Sequence, residues 1–377
     1  MDALPAGSGL NARLATPMPL PQAPRESTSE GTSQFGAVVS RGRPWVRTLG
    51  LPLVLLVAAL VGYNLVIART ARSSQRRQLL ARIAKIPADT DCLFLGNSLV
   101  EAGCDIQSFQ AGWPDAKTAP KALNVALGAT SPVEHFLILQ RALQNRPHLK
   151  YVVYGFFDDQ LNTTPSGAWS DLVGNRALSY YFPDDAAEMY APGSWLKRWQ
   201  LRLTARLPML AERSSLWGKV DALRRSLDEI GMPRHKMNRF GRVENFGALE
   251  AADAASFERR CRAVTDVQKG FSRPVQEIIR MSRQNGATVI LVEMPMPSRH
   301  RNLFYSSPAW IVLRDHLKSL ANHESALYVP ASDWILDDSD FEDATHLNEE
   351  GAKLFSRKLA QVVAQFSDAQ VATRLNH

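Results

Sequence analysis

Cys92-Leu93-Phe94-Leu95-Gly96-Asn97-Ser98 is the stretch whose reading decides the fold. A run of apolar residues closed by a glycine reads as a short strand buried on both faces. The serine stands where that strand's carboxyl end meets the next element. The same grammar recurs at Tyr151–Tyr154, closed by Gly155, at Thr288–Val292, and at Ala326–Val329. Helical patterns separate these runs, over 133–145, 274–285 and 309–321. Val275, Ile278, Ile279 and Met281 share a face of the second, which Asn285-Gly286 stops. A last helix starts at Asn348, with Glu349 and Glu350 in its first turn, as the helix dipole prefers. Phe355, Leu359, Val362, Val363 and Phe366 give it one apolar face. Buried strands alternating with helices predict a mostly parallel sheet with helices on both faces.

In an open parallel sheet the ligand crevice lies at the carboxyl ends of the strands. The residues there are Gly96-Asn97-Ser98, then Gly155-Phe156-Phe157-Asp158-Asp159, then Glu293-Met294-Pro295. Asp343-Ala344-Thr345-His346 precedes the last helix. A serine attacks a carbonyl only when a base takes its proton, and a carboxylate is needed to orient an imidazole base. Asp343 and His346 are three apart, so a turn can bring both to one side. A serine at a turn, or a histidine before a helix, says little alone. Ser98 at one end of the domain and Asp343/His346 at the other, each at the expected edge, say more together.

These blocks resemble the SGNH/GDSL hydrolases. LFLGNSLVEAG is similar to that family's nucleophile block, with Asn97 where Asp is usual. FEDATHLNEEGAKLFSRKLA resembles its closing Asp-x-x-His block, and LNVALGATSP its second block. The resemblance implies a three-layer α/β/α, flavodoxin-like domain over about residues 90–370. It implies a triad of Ser98, His346 and Asp343, with the backbone amides of Ser98 and Gly128 in the oxyanion hole. The family's third block is Gly-x-Asn-Asp, whose Asn donates to the oxyanion. Gly155-Phe156-Phe157-Asp158 puts a phenylalanine there, so Asn162 becomes the candidate replacement donor, with Asn97 behind it. The altered third block is similar to membrane-anchored proteins of cell-surface polysaccharide O-acylation. That likeness implies a polysaccharide or acyl-ester substrate and a multi-span acyltransferase as partner. Two functions follow: an esterase or O-acyltransferase, or a non-catalytic accessory protein that keeps the fold.

The rest of the chain sets the context. Among 377 residues the net charge is +7, yet residues 41–85 alone hold nine basic residues and no acidic one. The remainder is near balance, which argues against nucleic-acid binding and for a membrane boundary. Residues 49–68, LGLPLVLLVAALVGYNLVIA, carry no charge and reach about 30 Å as a helix. They read as an uncleaved transmembrane anchor; a buried core helix is the alternative. Residues 1–40, rich in Pro, Ser and Gly, read as a disordered tail, and 70–88 as a basic helical stalk. More arginines follow the span than precede it, which favours a cytoplasmic C-terminal side. The family likeness implies the opposite, an extracytoplasmic domain.

A helical insertion is expected at about 160–272, with helices over Leu196–Leu210 and Val220–Ile230. Its Trp169, Tyr180, Tyr181, Trp195, Trp199 and Trp217 either pack helices or line a polymer cleft. Asp158 and Asp159 read as turn formers, and Arg299-His300-Arg301 as a solvated loop. Three cysteines, with no Cys-x-x-Cys or His-Glu-x-x-His, predict neither a disulfide framework nor a metal. Cys104 has no basic neighbour and reads as inert. No Gly-rich phosphate loop is present, and no cofactor is expected.

Overall fold

The computed structural model describes residues 44–71, 75–144, 148–164, 177–212 and 251–375. The tail at 1–40, Trp169, Trp217 and the helix expected at Val220–Ile230 lie outside the described residues.

Five strands form one parallel sheet: β1 (Cys92–Leu95), β2 (Ala122–Asn124), β3 (Tyr151–Phe156), β4 (Thr288–Glu293) and β5 (Leu327–Pro330). Their order is β2-β1-β3-β4-β5. This is the doubly wound order in which the direction of strand addition reverses between β1 and β3, the switch point where a ligand crevice opens in such sheets. Sequence reading found four of these strands. It missed β2, which has three residues, all half-buried, at the sheet's edge. So short a run shows no apolar period.

Alternation along the strands splits the core into two layers. Leu93, Leu95, Val152, Tyr154, Val289 and Leu291 pack on one side with α5 (Pro132–Gln144), α10 (Arg273–Gln284) and α11 (Pro308–His323). Between them in the chain lie α6 (Pro183–Tyr190), α7 (Trp195–Ala205), α8 (Pro208–Ala211) and α9 (Ala251–Thr265). Cys92, Phe94, Val153, Ile290 and Val292 face the other way. They pack against α3 (Ser98–Gly103), α4 (Ile106–Ala111) and α12 (Glu349–Leu375) through Val100, Phe109, Phe355, Leu359 and Val363. The result is a three-layer α/β/α arrangement. Burying each such side chain contributes roughly 1.5–3 kcal/mol, so the two layers together fix the register of the strands.

Among the described residues the insertion is helical, as expected. Leu196–Leu210 is not one helix, however. It breaks at Arg206-Leu207, because Pro208 starts a new turn at the position where a missing N–H costs nothing.

α1 (Pro44–Ala71) contains Gly50–Thr70, an apolar stretch of 21 residues long enough to cross a membrane. α2 (Gln75–Ile83) falls in the segment read as a stalk, yet it is docked: Leu79 and Ile83 are buried in the first core layer. Arg77 donates from Nε to the Tyr181 hydroxyl at 3.0 Å and pairs with Glu212 at 3.5 Å.

Candidate active site

β1 delivers Ser98. The chain leaves the strand through Gly96, and Asn97 caps α3, its Oδ1 accepting the Leu99 N–H at 2.9 Å. Ser98 is thereby the first helical residue, and its own amide has no partner inside the helix. Gly96, just past β1, stands beside Gly155 in β3; a Cβ on either would collide with Val100 Cγ2. Two glycines therefore let α3 press against the sheet edge. Asn124, at the end of β2, holds α3 by its other end. Its Nδ2 donates to the carbonyls of Val100 at 3.1 Å and Cys104 at 3.2 Å, and its Oδ1 accepts the Ala126 N–H at 3.0 Å.

The loop before α12 delivers the other two groups. Phe341 and Leu347 form a lone antiparallel bridge, and both are buried in the second core layer. Between them Asp343 folds the chain back on itself. Its Oδ1 accepts the amides of Thr345 at 2.9 Å and His346 at 2.8 Å. The same carboxylate meets His346 Nδ1, at 2.9 Å from both oxygens. The opposite ring nitrogen, Nε2, lies 2.9 Å from Ser98 Oγ. Ser98, His346 and Asp343 thus form one hydrogen-bonded chain, closed across 248 residues of sequence.

Burial by itself would raise the Asp343 carboxyl. The bond from the imidazole, the two backbone amides and the histidine's charge outweigh it and hold it down to about 2. The carboxylate is therefore ionised at neutral pH and fixes an Nδ1–H tautomer. In the neutral imidazole that tautomer leaves Nε2 as the acceptor for the serine hydroxyl.

Gly128 is close to Ser98: a Cβ built on it would lie 3.6 Å from Ser98 Cβ. Its amide is engaged, though. The Gly128 N–H donates to Glu101 Oε2 at 2.6 Å. A carboxylate thus sits on the amide proposed for the oxyanion, which nothing in the residue pattern foretold. The loop carrying Gly128 is anchored from below. Thr130 Oγ1 lies 2.9 Å from His135 Nε2, whose Nδ1 lies 3.0 Å from the Tyr154 hydroxyl. Glu134 accepts the Ser131 N–H at 2.9 Å.

Asn162 does not serve as the replacement donor. It is buried, and its Nδ2 donates to the carbonyls of Lys269 at 3.2 Å and Gly270 at 2.9 Å. Both amide hydrogens are spent tying the turn after β3 to the insertion. Asn97 uses its oxygen for the α3 cap. Phe157 is half-buried and packs on the second core layer.

The solvated-loop reading of Arg299-His300-Arg301 also fails for two of its members. His300 is buried, with Nε2 3.2 Å from Asp158 Oδ1, and Arg301 Nη1 donates to the Ile335 carbonyl at 2.8 Å. Asp158 adopts a left-handed backbone (φ +49°), which Asp tolerates better than most residues. Beyond forming that turn, it accepts from the Tyr305 hydroxyl at 2.9 Å. Arg260 pairs with neighbouring Asp159 at 3.2 Å.

Cys92, Cys104 and Cys261 are free and buried, and burial pushes the Cys104 thiol up, away from the reactive thiolate. Among the described residues no group of His, Cys, Asp and Glu converges to hold a metal ion.

No protein-family model matches the chain, and no curated protein is detectably similar to it. The solved structures similar to the chain include the following two. One is a Bacteroides fragilis protein provisionally assigned as an acylhydrolase, with a TM-score of 0.33, 10% identity, and coverage of 78% of this chain and 99% of that one. Another is an Agrobacterium tumefaciens protein provisionally assigned as an arylesterase, with a TM-score of 0.30, 12% identity, and coverage of 72% and 96%. The sheet order and the Ser98–His346–Asp343 chain are independent of both likenesses.

Proposed function

We propose that this chain is a membrane-anchored serine esterase or O-acyltransferase of the SGNH type. The observation that carries the reading is the unbroken chain Ser98 Oγ–His346 Nε2–Asp343, each link at 2.9 Å, at the carboxyl edge of the sheet. In the proposed reaction, His346 takes the Ser98 proton as Oγ attacks an ester carbonyl. The oxyanion is met by the amides of Ser98 and, once Glu101 yields it, Gly128. Collapse expels the alcohol, which takes its proton from His346, and leaves an acyl-serine. Water or a sugar hydroxyl then attacks, His346 again acting as base, and the acyl group leaves Ser98.

An ester on a cell-surface glycan as substrate, a multi-span acyltransferase as partner and an extracytoplasmic domain follow from the family likeness. The apolar Gly50–Thr70 stretch supports the anchor.

A second reading, an accessory protein that keeps the fold without turnover, is favoured by one observation. Of the donors considered beside the Ser98 amide and Asn97, Gly128 is held by Glu101 and Asn162 is spent elsewhere, while apolar Phe157 stands where the family's donor Asn would be. A fluorophosphonate probe on the full-length protein, with Ser98→Ala as control, separates the two. Labelling that depends on Ser98 is expected. Absence of labelling on well-folded protein would establish the accessory reading instead.

A further inference from the structure

The insertion carries an apolar stripe that the proposed chemistry does not use. In α7, Trp195 is 77% exposed, Trp199 54%, Leu196 46% and Leu203 44%. Residues 195, 199 and 203 recur every four positions and so run along one side of the helix, with 196 beside them. Leu201 and Thr204, on the opposite side, are buried against the domain. Large apolar side chains left in water along a whole helix face mark an interaction surface.

The charge pattern narrows the partner. Lys197, Arg198 and Arg202 lie in α7 and Arg206 caps it, with no acidic residue in the helix. Arg198 and Arg202 pair with Glu188 at 3.2 Å and Asp184 at 2.7 Å, both from α6. Tryptophan and leucine on one face, bordered by arginine and lysine, suit the boundary between headgroups and acyl chains.

Position narrows it further. α8 follows α7 at once, and its Met209 N–H donates to Asn64 Oδ1 at 3.0 Å. Asn64 lies six residues before the end of the apolar stretch Gly50–Thr70, about 9 Å along its axis. Near that end Ile67 is fully buried, whereas Leu65 and Val66 are more than half exposed. α8, with Leu210 37% exposed, is therefore fastened to the last third of the apolar helix. If that helix crosses a bilayer, α8 and the stripe preceding it fall at the depth of the lipid boundary.

We infer that α7 and α8 lie in the surface of the same membrane that the span crosses, with Trp195, Trp199 and Leu203 among the lipid headgroups and upper acyl chains. The inference rests on the anchored reading above. It makes the domain a body held to the bilayer at two points, the span and the α7 face, rather than one swinging on a tether.

The test uses full-length protein in vesicles of phosphatidylethanolamine and phosphatidylglycerol. Carbonate washing first establishes that the protein stays with the membrane. The three native cysteines are buried, so single labels are placed by Trp195→Cys, Trp199→Cys or Leu203→Cys, with Val267→Cys, 70% exposed in the wild type, as reference. An environment-sensitive fluorophore at 195, 199 and 203 should be quenched by lipids bearing a shallow nitroxide. It should also be shielded severalfold from aqueous iodide, relative to position 267. Protein that pellets with the membrane but whose four labels respond alike would overturn the inference and leave the anchor standing. Shielding that appears only on adding polysaccharide would also overturn it, in favour of a glycan cleft. Release by carbonate would overturn both the anchor and the inference.

Discussion

Replacing Glu101 with alanine should make the site faster. The Gly128 N–H points at Glu101 Oε2 at 2.6 Å, beside Ser98, where the proposed reaction would place its oxyanion. Before Gly128 can donate to substrate, that bond must break. A hydrogen bond to a charged group is worth roughly 1.5–3 kcal/mol net. Glu101 is exposed, so water rehydrates the released carboxylate, and the low end of that range applies. About 1.5 kcal/mol corresponds to roughly tenfold in kcat/KM. The ceiling is what one oxyanion donor is worth, about 2.7–4 kcal/mol, so a gain beyond roughly a thousandfold is not expected.

The assay is hydrolysis of a short activated ester by the full-length protein. It compares wild type, Glu101→Ala and Glu101→Gln, with Ser98→Ala as background and a thermal melt for each. Glutamine keeps an acceptor but loses the charge, and should fall between wild type and alanine. A Glu101→Ala protein that melts like wild type but is no faster would refute the reasoning. Gly128 would then not be the donor, or Glu101 would hold the Gly128 loop in its working position.

Asp343→Asn should lower kcat by up to about 10⁴, as when a buried orienting carboxylate is lost from a triad, with little change in KM. The Asp343 carboxyl is held down to about 2, against about 3.9 for an ordinary aspartate. Its ionised form therefore stabilises the fold above about pH 4, and that contribution, on the order of 2 kcal/mol, is lost as pH falls through about 2. The asparagine variant should show a flatter acid-unfolding limb in that window, and an unchanged limb would contradict the assignment. Gly155→Ala should destabilise by about 1–3 kcal/mol, because its Cβ meets both Val100 and the Met294 sulfur, and should reduce Ser98 labelling by displacing α3; full labelling with a wild-type melt would show that α3 does not depend on that gap. Phe157→Asn should leave Ser98-dependent turnover unchanged or raise it by no more than about a thousandfold; a fall in turnover in a folded variant would show that the ring shapes the site.

What the sequence disclosed was local. Asp343 and His346 are three residues apart, and the turn that joins them is made by Asp343's own carboxylate accepting two amides downstream. Nothing distant is needed to form that pair, so its spacing, together with the family resemblance, was enough to suggest it. Ser98 was legible because a buried strand and a glycine precede it, and those features are equally local. The strands that reading found are those with four or more residues and at least one buried side chain; β2 has neither.

What it concealed was decided by distant partners. Asn162 follows β3 closely enough to suggest the crevice, but its amide is claimed by carbonyls 107 and 108 residues downstream. His300 sits between two arginines and looks solvated, yet it is buried on an aspartate 142 residues upstream. Glu101 reads as an ordinary helix-surface acid until β2 carries Gly128 to within reach of it. The oxyanion side of the site therefore differs in kind from the triad side. The Asp343–His346 pair is set by one short turn. The donors are set by how β2, the turn after β3 and the insertion pack, and there a single side chain such as Glu101 decides whether an amide is available to substrate. Activity in this chain should accordingly respond far more to changes around Gly128 than the completeness of Ser98, His346 and Asp343 would suggest.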